Sequence, residues 1–126
     1  DQYQKRLMKI ADEYFGGCGT WFKTSKTMIE EGLKRLQLLK EDSNRLAASN
    51  LHELLRCWEN YHRVLTAEAH ARHILFREET RYPGYYYRAD KDFIDDDNWK
   101  CFTNSRYDAA ADKWELKKVP YVQMFP

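Results

Sequence analysis

Apolar residues recur at helical spacing in three stretches of the chain. Tyr3, Leu7, Ile10 and Tyr14 predict a first amphipathic helix over residues 1–15. Gly16, Gly17 and Gly19 follow and stop it. Ile29, Leu33, Leu36 and Leu39 form a second stripe, which predicts a helix over 26–46. Thr27 and Glu30 have capping-box spacing at its start, although residues 20–25 offer other starts. The third stripe is the longest: Leu51, Leu54, Leu55, Trp58, Tyr61, Leu65, Ala69 and Phe76. Asn50 with Glu53 opens it. Pro83 closes it no later than Tyr82, because a residue before proline avoids the helical region. The expected helix covers 50–81.

The period then changes. Residues 82–98 carry charge and aromatics without a stripe. Residues 99–107 and 113–119 read as strands around a loop at 108–112. Pro120 and Pro126 bracket a tail. The pattern predicts one mainly α domain over 1–126. It is an antiparallel three-helix bundle, a structured loop at 82–98, a β-hairpin at 99–119 and a tail at 120–126.

With 126 residues, the chain is long enough for one core. A net charge of +1 provides no global field for nucleic acid or an anionic membrane. No apolar run approaches a membrane span, so no membrane insertion is expected. Cys18, Cys57 and Cys101 are widely spaced with no C-x-x-C, which favours a reducing, cytoplasmic setting.

Candidate chemistry is sparse. His70 and His73 lie three apart, with His62 two turns earlier, but no carboxylate completes a metal site. Cys57 and His62, five apart on a helix, project from different faces, so no nucleophile and base converge. The glycines at 16, 17 and 19 follow a helix rather than a strand, the wrong order for a dinucleotide fingerprint. Basic and aromatic residues interleave at 81–88, but the acidic run behind them disfavours nucleic acid. The third helix has a second, polar row: His52, Arg56, Glu59, Arg63, Thr66, His70, His73 and Arg77. It contains Arg and His but no Lys, a composition of interfaces more than of wet surfaces, and predicts an interdomain contact.

The densest stretch is 76–99. Arg77, Glu78, Glu79, Arg81, Arg88 and Asp90 alternate with Tyr82, Tyr85, Tyr86 and Tyr87. Such a loop is expected to dock and to be held by ion pairs, with Arg88 and Asp90 joined to Glu79 or Arg81 in one network. It also carries a resemblance. Glu79-Thr80-Arg81, Arg88-x-Asp90 and Asp96-Asp97-Asn98-Trp99 resemble the C-terminal signature of the fumarate reductase and succinate dehydrogenase flavoprotein superfamily. Two departures stand out: the segment 82–87, and Phe102 where a His usually follows the Trp. With the segments 52–56, 58–63 and 66–69, these departures resemble the alpha-subunit family of dissimilatory adenylylsulfate (APS) reductases.

The resemblance implies the C-terminal scaffold of a larger oxidoreductase that interconverts adenylylsulfate with AMP plus sulfite. FAD would be held by an N-terminal flavin domain of the same chain, not by this piece. Iron-sulfur clusters would lie on a partner beta subunit. It implies no catalytic, cofactor-binding or metal residue here. The structural or interdomain candidates are Arg56, Arg63, Arg77, Glu79, Arg81, Arg88, Asp90, Asp97 and Trp99. The alternatives are the tail of a fumarate reductase or succinate dehydrogenase flavoprotein, or a standalone helical interaction module.

Overall fold

The computed structural model describes residues 1–81 and 85–125. Helix α1 spans Gln2–Tyr14, α2 spans Lys26–Asp42 and α3 spans Leu51–Phe76. A short helix α4 spans Asp96–Trp99, and strands β3 (Cys101–Asp108) and β4 (Lys113–Pro120) form the hairpin. Two further strands of two residues each, β1 (Lys23–Thr24) and β2 (Tyr87–Arg88), pair in parallel.

The first two stripes face inward as expected. Tyr3, Leu7, Ile29, Leu36 and Leu39 are buried with Phe15, while Ile10, Tyr14 and Leu33 pack around them. Gly32 lets α1 approach α2. A Cβ there would stand 2.5 Å from Tyr14 Cβ and 2.6 Å from Phe15 Cε1. The cap of α2 is Ser25, whose hydroxyl accepts from the Met28 amide, rather than the Thr27–Glu30 pair. This helix ends at Asp42 and tightens into a 3₁₀ turn at Ser43–Arg45. The cap of α3 is the expected Asn50, which accepts from the Glu53 amide. Glu53 reaches back to the amide and hydroxyl of Ser49.

The third helix departs from expectation in two ways. It ends at Phe76 rather than 81, because Arg77 turns extended. Pro83 and Tyr82 lie outside the described residues. Its large apolar stripe also faces away from the bundle. The residues it buries are Asn60, Val64, Glu68, Ala71 and Ile74. At about 100° per residue, Leu51, Leu54, Leu55 and Trp58 lie roughly half a turn from that row. Leu51 is 84% exposed and Trp58 59%.

Among the described residues, cover over the stripe grows from half-buried Leu65 and Ala69 to the end of α3, where Phe76 packs edge-on against buried Trp99, centroids 5.4 Å apart. Trp99 therefore belongs to α4 rather than to the strand expected from residue 99. Asp95 caps that turn by accepting from the Asn98 amide. The hairpin keeps continuous register from Cys101↔Pro120 to Asp108↔Lys113. At its turn Asp112 adopts positive φ (48°), a conformation that Asp tolerates. Pro126 lies outside the described residues.

Candidate functional site

The charged loop after α3 folds into two buried clusters. Arg88 is held on β2 by backbone bonds to the loop before α2: the Tyr87 amide donates to Phe22 O and the Ala89 amide to Thr24 O. Its side chain is 1% exposed. The guanidinium forks onto Asp90, with Nε to Oδ1 at 2.9 Å and Nη2 to Oδ2 at 2.7 Å. Its Nη1 donates to the carbonyls of Ile74 (2.8 Å), Leu75 (3.3 Å) and Arg77 (3.3 Å). These are carbonyls that the end of a helix leaves unpaired, so Arg88 caps α3 from a distant strand. The Arg88 guanidinium holds the Asp90 carboxyl well below the usual range, at about 2.

Glu79 centres the second cluster and is fully buried. It accepts from Arg77 Nη1 (2.8 Å), from Arg81 Nε (2.6 Å) and Nη2 (3.0 Å), and from the Asp95 amide (2.8 Å). Burial alone would raise its pKa, but Arg81, the Asp95 amide and Arg77 outweigh burial and lower it. Arg77 also donates to Trp99 O (2.7 Å) and Cys101 O (2.8 Å), tying α3 to the start of the hairpin. Arg81 reaches Asp96 at 2.8 Å. Lys118 Nζ lies 3.7 Å from the Trp99 ring centroid.

The single network expected for Arg88, Asp90, Glu79 and Arg81 is thus divided in two. Among the described residues, Arg88 meets the Glu79 cluster through the Arg77 carbonyl and through Thr80. The Thr80 hydroxyl accepts from the Arg88 amide and donates to Lys91 O. Asp97 lies exposed in the first turn of α4, outside both clusters.

Arg56 and Arg63 are exposed and lean on their own helix. Glu59 Oε2 lies 3.9 Å from Arg56 and 3.5 Å from Arg63. The polar row sits about a quarter turn from the buried face. His73 and Arg77 are members that meet the hairpin, His73 with Nδ1 3.4 Å from the Thr103 hydroxyl and Arg77 through Cys101 O.

Sequence reasoning missed a third cluster. Lys40 of α2 donates to Glu68 of α3 (3.0 Å) and to Asp112 of the hairpin turn, and lies 4.9 Å from the centre of the Tyr107 ring. Tyr107 OH donates to Asp112 Oδ1 (2.9 Å), and Arg72 forks onto Glu68 Oε1. Burial opposes charge on Lys40, but Asp112, Glu68 and Tyr107 together raise its pKa, and Lys40 lowers that of Asp112. Only the Glu68–Arg72 spacing was visible along one helix.

These groups are spent on one another. The glycine run provides no cradle for a flavin diphosphate either. The Gly19 amide donates to Asp12 Oδ1 at 3.0 Å, and Cβ atoms at Gly17 or Gly19 would collide with Asp12. An acidic side chain thus occupies the position that a phosphate would need. Among the described residues, no group of three His, Cys, Asp or Glu side chains is placed to hold a metal. No helix among the described residues is long and apolar enough to cross a membrane.

Comparison with known proteins gives these clusters a context. The chain is 54% identical over 124 residues to the adenylylsulfate reductase subunit alpha of Megalodesulfovibrio gigas, covering 98% of this chain and 19% of that subunit. Its structure matches adenylylsulfate reductase from the hyperthermophilic Archaeoglobus fulgidus with a TM-score of 0.95. The two are 56% identical over 97% of this chain and 19% of that one. A mutant of E. coli quinol fumarate reductase FrdA shares the fold, at TM-score 0.75 and 23% identity, over 95% of this chain and 22% of that one. The chain thus spans about a fifth of the length of these relatives. Residues 5–125 match the family described as fumarate reductase flavoprotein C-term, and the chain belongs to that family.

Proposed function

We propose that this chain is the C-terminal scaffold domain of the FAD-containing alpha subunit of an adenylylsulfate reductase. The observation that carries this reading is the 54% identity across nearly the whole chain to one such subunit. In this reading the parent subunit interconverts adenylylsulfate with AMP plus sulfite, two electrons passing through an iron-sulfur beta subunit in the cytoplasm. FAD sits in the N-terminal flavin domain. This piece contributes shape, since its buried charged groups Glu68, Arg77, Glu79 and Arg88 are paired internally and its glycine loop is filled by Asp12. Arg77, Glu79, Arg81, Arg88, Asp90 and Trp99 hold the scaffold together. Arg56 and Arg63, self-paired and exposed, are candidates for contact with the rest of the subunit, and Asp97 is an exposed candidate on α4. The likeness to the fumarate reductase structure, at 23% identity, supports the fold alone.

A domain replacement tests the reading. The matching region of the M. gigas alpha subunit is exchanged for this chain and produced with its beta subunit. The chimera is expected to retain FAD and to oxidise sulfite in an AMP-dependent way. A soluble chimera without flavin, or one with flavin and no AMP dependence, overturns the assignment.

A further inference from the structure

The first half of α3 presents an apolar face that the described residues leave exposed. Leu51, Leu54, Leu55, Trp58 and Tyr61 follow each other at helical spacing, and all are exposed. The face continues along the helix to Phe76, where Trp99 covers it. One stripe is therefore dry at one end and bare at the other. Leu and Trp side chains in a contiguous row mark a contact surface rather than a wet one.

Two observations identify the occupant. The chain accounts for 19% of the relative's length, and its family is a C-terminal one, so most of such a subunit precedes the position of Asp1. Asp1 lies in a cleft on the other side of α3 that adjoins the groove at the edge of this face. It shares that cleft with Tyr3, Glu53, Arg56 and Asn60, and Leu46 and Cys57 line both the cleft and the groove beside Leu54 and Trp58, so in this reading the preceding part of the parent subunit would approach α3 from that edge. A shallow groove between α3 and the Ser43–Arg45 turn, floored by Leu46, Leu54, Cys57 and Trp58, continues the apolar surface.

We infer that the apolar face of residues 51–61, centred on Leu54 and Trp58, seats the N-terminal remainder of the same alpha subunit. The polar row with Arg56 and Arg63 forms the rim of that contact. This rests on the adenylylsulfate reductase reading above. It assigns the main contact to a different face from the polar row that residue composition suggested. A dry apolar centre with a charged rim is the usual anatomy of a stable contact.

Thiol labelling of the chimeric subunit tests it. Leu54→Cys and Leu55→Cys are introduced singly, and maleimide addition at each site is followed by mass spectrometry. The folded alpha subunit without its beta partner is compared with the same subunit in urea. Labelling is expected to slow by about a hundredfold on folding, as for sites that open only by local unfolding. Leu55→Glu combined with Trp58→Glu is expected to lower FAD retention more than Arg56→Glu combined with Arg63→Glu. Labelling in the folded subunit within about tenfold of the urea rate overturns the inference. So does protection that appears only when the beta subunit is added, or that follows concentration-dependent pairing of two alpha subunits. A wild-type chimera that never binds FAD overturns the underlying reading instead, and is distinguished by its flavin content before any labelling.

Discussion

A buried guanidinium persists only when its donors are paired, and Arg88 meets that condition with one carboxylate and three carbonyls. Replacing it leaves Asp90 without its partner and the end of α3 uncapped. Arg88→Ala is expected to destabilise the chain by about 3–5 kcal/mol, and Asp97→Ala by less than about 0.5 kcal/mol. Urea melts of both variants check the contrast. The same pair sets an acid response. Folding depresses the Asp90 pKa from 3.8 to about 2, so its contribution is present above 3.8 and is lost as pH falls through 2. Asp90→Asn is expected to flatten the fall in urea midpoint across that window, and an unchanged slope would contradict the pairing. The residue types of this loop announced buried charge pairs, and Arg88 with Asp90 was legible from their spacing. The capping role was not. It joins residues fourteen apart across a turn, and no local pattern records where a guanidinium points.

At the scale of elements, three helices and a hairpin were legible from periodicity, because apolar spacing and turn residues agreed. The orientation of α3 was not. Its most hydrophobic side was expected to face the bundle, yet the bundle buries Asn60, Val64, Glu68 and Ala71. Periodicity identifies a face but not which neighbour covers it, and two faces of one helix can serve two contacts. Glu68 is tolerated inside because Lys40 and Arg72 pair it. Lys40 also fastens the hairpin turn through Asp112, across seventy-two positions of sequence that no local pattern spans. An isolated two-stranded hairpin is marginal in water, so this clasp should govern its opening. Lys40→Ala is expected to speed amide hydrogen exchange in β3 and β4 well beyond that in α1. Equal acceleration throughout the chain would show that the clasp supports the whole bundle rather than the hairpin.

At the scale of the whole molecule, Glu68, Arg77, Glu79 and Arg88 are buried in ion pairs while an apolar face of α3 points outward. That distribution agrees with the proposed role of a scaffold that braces a larger body. The central claim is therefore that this domain supports flavin retention without touching the reaction. The most direct measurement uses the chimeric alpha subunit with its beta partner and compares wild type with Lys40→Ala and Asp90→Asn. Two quantities are read: the temperature of flavin release, and sulfite oxidation per bound flavin. The account predicts a lower release temperature in both variants, with turnover per flavin unchanged. A fall in turnover per flavin of about tenfold or more, at an unaltered release temperature, would place these residues in the reaction and contradict it.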